Sequence, residues 1–197
     1  MTSGSQNLPR RRTRTLSRAK IVDAAIAIID DDGPEQLSMT KLSARVGVAA
    51  ASLYNHVKNL DDVRGAVQVH TMEELGHDLR VAAMGRSGLD GMHALTDAHR
   101  RFAAAHPRRY RELTAAPANR DAFVLAALDG NVALTAMLRS CGLEHDDALP
   151  AAVAIFAALH GFAMLETTDF LGGEMDADSI YTAVRDGALN SVGITAG

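Results

Sequence analysis

The chain of 197 residues has little that would support a β-rich, disulfide-bonded protein. It contains no tryptophan, 4% aromatic residues and a single cysteine, Cys141. One cysteine excludes an internal disulfide and fits a reducing cytoplasm. Alternating β-branched runs joined by hairpin turns are hard to find, which argues against a sandwich or barrel. The abundance of alanine favours closely packed helices instead, and we predict an all-α fold.

Signals for export or membrane insertion are also weak. The N-terminus is basic and polar with no apolar segment behind it, so we expect no signal peptide. The longest apolar run, residues 149–165, is short for a membrane span and contains Pro150 and His160. It predicts a buried helix in a cytoplasmic protein.

The sequence lacks the motifs of common enzyme classes. It has no Gly-x-Ser-x-Gly elbow, no glycine-rich phosphate loop and no His-Glu-x-x-His helix. His70, Glu74 and His77 lie on one predicted helix face and suit zinc or nickel, but this pattern is more typical of a solvated surface. We therefore predict no enzymatic activity, no cofactor and no metal.

Charge is distributed unevenly along the chain. The first 20 residues contain six basic and no acidic residues, whereas residues 71–197 contain ten arginines and seventeen acidic residues. A basic end on an acidic body predicts contact with a polyanion at that end only. We interpret residues 1–16 as a flexible basic arm, with Arg14 contacting DNA; a solvated tail is the alternative.

The most informative segment is residues 38–57, which predicts two short helices joined by a tight turn. Ser38 suits the cap of the first helix, and Gly47 suits the turn. In the second helix, Leu53 and Val57 face inward. The outward residues are small or carry hydrogen-bonding tips: Ala50, Ala51, Ser52, Tyr54, Asn55 and His56. Such a helix suits the major groove of DNA better than a protein core.

Within this segment, residues 53–59 read Leu-Tyr-Asn-His-Val-Lys-Asn and resemble the end of the recognition helix in TetR (tetracycline repressor) family transcription regulators. Residues 21–25 and 33–39 also fit the N-terminal pattern of that family. The resemblance implies a three-helix helix-turn-helix DNA-binding domain over residues 17–66. A larger helical domain for effector binding and dimerisation would follow over residues 67–197.

Helix breakers in the second half predict about nine helices in total. The penultimate helix, residues 146–171, is apolar nearly all round, and the last, residues 178–192, has one apolar stripe. Two such helices in a small domain need a partner surface, so we predict a homodimer through them, as the resemblance also implies. A purely intramolecular core is the alternative.

The second half also resembles one TetR subgroup, named for a Trp-His-Gly motif, over residues 156–166. Phe156 stands where that subgroup usually has tryptophan, which keeps an aromatic ring but loses the indole N–H.

The resemblance implies that Tyr54 and Lys58 contact phosphates, and His56 offers a similar donor. Asn55 suits the edge of adenine in the major groove. The small residues Ala50, Ala51 and Ser52 permit close approach. For Tyr54 the alternative is packing against the first helix, and for His56 it is a solvated surface position.

Thr40, at the start of the preceding helix, is placed to bind a phosphate through its hydroxyl and backbone N–H. It replaces an arginine that reads bases in the tetracycline repressor. Leu60 likewise replaces a lysine at the head of the fourth helix. The operator sequence therefore does not follow from the resemblance.

For the effector we predict an apolar or aromatic small molecule, held in a cavity enclosed by the fifth to the eighth helices. The candidate ligand contacts are His99, Phe102, Phe123, Met137 and Phe162. Methionine and phenylalanine at helical spacing are more often core than pocket. An acidic ligand bound by His99 and Arg100 is the alternative.

Together these features predict a ligand-responsive DNA-binding transcriptional regulator. We expect a repressor released from a palindromic double-stranded operator by its small-molecule effector. The alternatives are an all-α enzyme and a helical dimerisation module that does not bind DNA. Neither alternative gives a role to the arginines of residues 10–14 or to the outward-facing Asn55 and His56.

Overall fold

A computed structural model describes residues 16–195, which form ten α-helices, one 3-10 turn and no strand. The helices are α1 (Arg18–Asp32), α2 (Met39–Val46), α3 (Ala50–Leu53), α4 (Leu60–Ala83), α5 (Gly88–Ala105), α6 (Pro107–Leu113), α7 (Arg120–Gly130), α8 (Val132–Ser140), α9 (His145–Thr167) and α10 (Ala177–Ser191). The predicted all-α fold is confirmed. The Arg14 and basic-arm predictions lie outside the described residues.

The described residues form ten helices, against about nine predicted, because residues 120–140 form two helices divided at Asn131. Both the main-chain N–H and the side-chain amide of Asn131 donate to the carbonyl of Ala127, each at 2.9 Å. Side-chain bonds of this kind compete with continuation of a helix. The penultimate helix also ends earlier than expected, at Thr167, before a turn in which Asp169 has a φ of 58°.

The N-terminal helices α1 to α3 pack around a small apolar core with the beginning of α4. Ile21, Ala25 and Ile28 recur at helical spacing on α1 and are buried. Ser17 caps α1 by accepting a hydrogen bond from the N–H of Lys20, and Gly33 ends it with a φ of 96°. Burial of these side chains holds α1 against the helices α2 and α3.

The remaining helices enclose a second, larger core that consists of different residues. The helix α4 contributes Val63 and Val67 to the first core and Leu75 and Leu79 to the second. It is 24 residues long, about 36 Å at 1.5 Å per residue. One continuous helix therefore joins the two cores.

The helices α4 and α7 run in the same direction at very close range. Gly65 lies beside Asn119 at the start of α7, and Gly76 lies beside Gly130 at its end. A Cβ atom placed on Gly76 would lie 2.7 Å from the Cα of Gly130. A Cβ atom on Gly130 would find its nearest neighbour at 3.6 Å, an ordinary contact. The spacing of the two helices thus depends on the missing side chain of Gly76.

By length and composition alone, residues 120–140 and 145–167 are apolar enough to cross a membrane. Core helices of water-soluble proteins have the same property. These two segments bury Leu134, Leu138, Ile155 and Leu159 in the second core, which accounts for their apolar character.

We predict that Gly76→Ala destabilises the protein whereas Gly130→Ala does not. The new methyl group in Gly76→Ala meets the backbone of α7, and overpacking of this kind costs about 1–3 kcal/mol. Because the methyl group meets backbone atoms that cannot turn aside, we expect this cost to outweigh the gain in helix propensity, about 1 kcal/mol in a helix interior. Gly130, the last residue of α7, has at most the same gain and no such clash. Urea unfolding should give a lower midpoint for Gly76→Ala alone. Equal midpoints for the two variants would show that α4 and α7 can move apart to accept the methyl group without loss of stability.

Candidate nucleic-acid interface and effector cavity

The helix pair α2–α3 is formed by the local signals that predicted it. Ser38 caps α2 by accepting a hydrogen bond from the N–H of Lys41, at 3.2 Å. Gly47 ends it in the left-handed conformation, with φ 73° and ψ 35°. After the turn, Leu53 and Val57 are buried in the first core. These two side chains anchor the segment between them, which forms α3 and the following turn.

The segment presents most of its predicted DNA-contact residues to solvent. Ala50, Ala51, Asn55, His56 and Lys58 are exposed, as is Thr40 at the start of α2, whereas Ser52 is half-buried. The side chain of Tyr54 is 56% exposed. Tyr54 is therefore accessible to a ligand, even where part of the residue touches the protein.

A charged clamp holds the segment against α1 and α4. The guanidinium of Arg18 donates to both carboxylate oxygens of Asp62, at 2.7 and 2.8 Å. It also donates to the carbonyl of His56, at 3.4 Å. Asp62 accepts a further bond from the backbone N–H of Lys58, at 2.9 Å. The two ends of the turn that carries His56 and Lys58 are thereby tied to the neighbouring helices.

Asp62 titrates abnormally because of this clamp. The hydrogen bonds from Arg18, assisted by the N–H of Lys58, lower the pKa of Asp62 to about 2 against the opposing effect of burial. Sequence reasoning missed this pair. The two residues are 44 positions apart, and nothing in the sequence shows that they are in contact.

Leu60, where the resemblance leads one to expect a lysine, is half-buried against the first core. Its side chain packs inward at the start of α4. An apolar residue at this position is explained by that packing, and its side chain has no donor for a phosphate.

A cavity of about 200 Å³ lies between α4, α5, α7, α8 and α9. Two of the five predicted ligand residues, His99 and Phe123, line it. The other three lie elsewhere in the second core: Phe102 packs on His106 with ring centroids 5.1 Å apart, Met137 packs against Gly91, and Phe162 packs on Tyr181 at 5.3 Å.

Several lining residues were missed by sequence reasoning. The helix α4 contributes Met72, Leu75, Gly76 and Leu79 to the wall, and α9 contributes Ile155, Phe156 and Leu159. The apolar members of both sets recur at helical spacing, which is typical of a buried face. Periodicity cannot distinguish a face that touches other side chains from a face that borders a cavity, so no sequence signal identified them.

A chain of three polar side chains adjoins the cavity: His99 and Tyr110 are buried, and His160 is half-buried. The hydroxyl of Tyr110 lies 3.1 Å from Nε2 of His99 and 3.1 Å from Nδ1 of His160. Burial, together with the nearby His160, lowers the pKa of His99 to about 4, and burial raises that of Tyr110 and lowers that of His160. His99 is therefore a neutral imidazole at pH 7, with distinct donor and acceptor nitrogens.

The short helix α6, which carries Tyr110, binds the N-terminal domain through its arginines. Arg108 donates to the carbonyl groups of Asp30 and Asp31 at the end of α1. Arg109 is buried and pairs with Asp30 and with Glu74 of α4, at 3.2 and 2.6 Å. One side of α6 thus faces the cavity residues and the other faces the DNA-reading end.

A second ion pair joins α6 to α4. Arg64 donates to the buried carboxylate of Glu112 and to the carbonyl of Pro34. Burial raises the pKa of Glu112, while Arg64 opposes this shift. Such a pair is costly to break because either partner alone would be a buried charge.

Within residues 16–195, no group of three or more His, Cys, Asp or Glu side chains is placed to hold a metal ion. Of the candidate set on α4, His70 lies 3.5 Å from Glu74, but the other carboxylate oxygen of Glu74 binds Arg109. Glu74 therefore serves the contact between α4 and α6.

Two family models match the chain: "Bacterial regulatory proteins, tetR family" over residues 21–66 and "Tetracyclin repressor-like, C-terminal domain" over residues 92–187. An uncharacterised HTH-type transcriptional regulator of Mycobacterium tuberculosis is 33% identical over 173 residues, which cover 87% of this chain and 79% of that protein. The chain belongs to the TetR family. It is a DNA-binding transcriptional regulator, as the helix-turn-helix segment predicted.

Solved TetR-like structures share the fold. BioQ with its double-stranded DNA operator matches with a TM-score of 0.66 and 21% identity, over 88% of this chain and 98% of that one. A TetR Q116A variant from Acinetobacter baumannii AYE in complex with minocycline matches with a TM-score of 0.69 and 16% identity, over 90% and 96%. Because both identities are low, these matches establish only that this TetR family member has the same arrangement of helices.

We predict that Asp62→Asn lowers the free energy of unfolding at pH 7 by about 1 kcal/mol, a modest value because Arg18 is half-exposed and partly screened by solvent. A carboxylate with a depressed pKa stabilises the folded state above its unfolded pKa. This contribution is lost as the pH falls from about 4 towards 2. Urea unfolding at pH 7 and pH 3 should show the difference from the wild type shrinking at the lower pH.

The matched control for this prediction is Asp61→Asn, the preceding acidic residue in the first turn of α4. Asp61 is exposed, and its substitution removes the same interaction with the helix dipole. An effect of Asp61→Asn as large as that of Asp62→Asn would show that the clamp contributes nothing beyond the dipole.

Proposed function

We propose that this TetR family regulator is a homodimeric repressor that binds a palindromic operator and is released by an apolar or aromatic small molecule. The observation that carries the proposal is the exposed segment 50–58. Leu53 and Val57 anchor this segment in the first core, and the pair of Arg18 and Asp62 holds it against α1 and α4. The helix α4 also forms a wall of the cavity. DNA reading and ligand binding thus share one structural element.

In the operator complex, Tyr54, His56 and Lys58 contact phosphates, and Asn55 bonds to base edges in the major groove. Ala50, Ala51 and Ser52 allow the helix to approach the bases closely. Thr40 binds a phosphate at the start of α2, and Arg14 of the basic arm reaches the minor groove or the adjacent phosphates. The exposure of the residues within 16–195 supports these roles.

The dimer forms through α9 and α10. Every fourth residue along α9 from Leu149 to Leu165 is exposed and apolar or glycine: Leu149, Val153, Ala157, Gly161 and Leu165. A continuous apolar stripe of this kind is typical of an interface between subunits. Gly187 on α10 is also open to close approach, with no neighbour near its Cβ position. Two-fold symmetry would place two copies of α3 in successive major grooves, about 34 Å apart.

Release of DNA follows from movement of α4 and α6. A ligand in the cavity touches α4 directly, and it reaches α6 through His99 and Tyr110. Both helices hold the N-terminal domain, by apolar burial and by the Arg109–Asp30 pair. The dimer would have two conformations, one in which the spacing of its two α3 helices fits DNA and one in which it does not. The ligand lowers operator affinity only to the extent that it binds the second conformation more tightly than the first.

We further propose a cytoplasmic location and membership of the Trp-His-Gly subgroup. Phe156 stacks on His160 with ring centroids 5.7 Å apart and planes inclined by 5°. The aromatic ring at residue 156 thus supports one end of the polar chain beside the cavity. We also propose the domain division at residues 66 and 67, which falls on α4; Val67, directly after it, still packs in the first core.

We expect Lys58→Ala to weaken binding to every duplex alike and to reduce the slope of log affinity against log salt by about 1. Asn55→Ala should instead change which sequences are preferred. Gel-shift titrations against DNA upstream of the gene, at several stated salt concentrations, measure the first effect. Selection from a random duplex pool measures the second. Arg139→Ala, an exposed charge on α8, is the control and should behave as the wild type.

An unchanged salt slope for Lys58→Ala would remove this residue from the phosphate contacts. An unchanged sequence preference for Asn55→Ala would remove that residue from base reading. No binding of the wild-type protein to any duplex, even at low salt, would favour the dimerisation module over the repressor.

We predict that Val153→Glu converts the dimer to a monomer, because it places a charge in the apolar stripe of α9. Val81→Glu on α4 is the matched control, since Val81 is 48% exposed and Val153 is 58% exposed. Sedimentation velocity measures the oligomeric state of both. A dimer that survives Val153→Glu but not Val81→Glu would place the interface elsewhere.

A further inference from the structure

The chemistry of the cavity wall restricts what the effector can be. Among the described residues that line the cavity, none is Asp, Glu, Lys or Arg, and three are polar: Thr96, His99 and Asn131. A charged ligand would lose its hydration here without gaining a charged partner, which is strongly unfavourable. This also argues against the acidic ligand considered for His99 and Arg100, since Arg100 pairs with Glu166 and Asp178 outside the wall.

The three polar residues leave few atoms for a ligand. The hydroxyl of Thr96 donates to main-chain carbonyls of its own helix, and the side-chain N–H₂ of Asn131 donates to Ala127. Nε2 of His99 is engaged by Tyr110. Nδ1 of His99 and the amide oxygen of Asn131 have no hydrogen-bond partner within residues 16–195. A ligand with one polar group therefore finds one or two complementary atoms.

His99 can either donate to or accept from that group. If Nδ1 carries the proton and donates to the ligand, Nε2 accepts from the hydroxyl of Tyr110, whose oxygen accepts from Nδ1–H of His160. If Nδ1 accepts from the ligand, each bond reverses its direction, and Tyr110 donates to His160 instead. All three groups stay satisfied in both arrangements. Both rely on a neutral imidazole, which the lowered pKa of His99 provides.

The size and lining of the cavity narrow the class further. Its volume of about 200 Å³ is below the 300–1,000 Å³ typical of sites for drug-sized ligands. Phe123 and Phe156 both line it, and aromatic rings pack favourably on one another. The wall suits a single substituted ring better than a polycyclic molecule.

We propose that the effector is a compact, uncharged aromatic molecule with one hydrogen-bonding oxygen, of the alkylphenol class, and that His99 binds this oxygen. The inference rests on the proposed function in taking this cavity as the effector site. It goes further by fixing the charge, the size and the polar contact of the ligand.

The test compares three probes of nearly equal shape: 4-propylphenol, propylbenzene and 4-propylbenzoate. Calorimetry at pH 7.5, where the phenol is neutral, should show the phenol binding about tenfold more tightly than the hydrocarbon, the value of one hydrogen bond. The benzoate should bind at least about 100-fold more weakly than the phenol, because its carboxylate has no partner. Equal or tighter binding of the benzoate overturns the proposal, as does the absence of binding by both neutral probes.

Variants locate the binding. His99→Leu should abolish the preference for the phenol over propylbenzene and leave propylbenzene binding unchanged, which a merely structural role of His99 would not produce. Ala127→Phe fills the cavity and should remove binding of both neutral probes. Ala136→Phe is its control, because Ala136 is exposed on α8. A phenol preference retained in His99→Leu, or equal effects of the two phenylalanine variants, contradicts the assignment.

A parallel gel-shift separates this proposal from the repressor function. DNA binding by a protein that binds none of the neutral probes overturns the ligand class alone. Binding of 4-propylphenol by a protein that does not bind DNA, or that keeps its DNA at saturating probe, supports the ligand class and overturns the proposed release mechanism.

Discussion

The burial of α4 in two separate cores is the constraint on which the rest of the structure depends. Val63 and Val67 are fixed among the N-terminal helices, and Leu75 and Leu79 among the C-terminal ones. A helix is stiff along its axis because its backbone hydrogen bonds are internal. A displacement at the cavity end must therefore appear at the DNA-reading end, unless one of the two cores gives way.

The short helix α6 is a second element that contacts both the N-terminal domain and the surroundings of the cavity. Its residues 108 and 109 hold the end of α1, while Tyr110 points the other way into the polar chain beside the cavity. Alternation of direction within three residues is a consequence of helical geometry, which turns each successive side chain by about 100°. A short helix is thus sufficient to contact the polar chain beside the cavity on one side and the N-terminal domain on the other.

The parts of the fold that depend on local signals could be predicted from the sequence. Ser38, Gly47 and Leu53 each act within a few residues of their own position, and the helix-turn-helix they predict is present. The cavity was only partly predictable, because its wall depends on which faces of distant helices meet. Met137 and Phe162 fit the pattern of pocket residues but pack elsewhere, whereas Gly76 carried no signal for its place in the wall. The clamp between Arg18 and Asp62 was missed for the same reason.

The ion pairs of the N-terminal helices have a consequence for how the protein responds to ionic strength. Arg18 pairs with Asp62, Lys41 with Asp32, and Arg45 with Asp31. Each of these cations already has an anion beside it, so it displaces little of the ionic atmosphere of a duplex. Thermodynamic release of counterions depends on the phosphates that the protein newly neutralises. Arg18, Lys41 and Arg45 should therefore contribute less to the salt dependence of DNA binding than their number suggests.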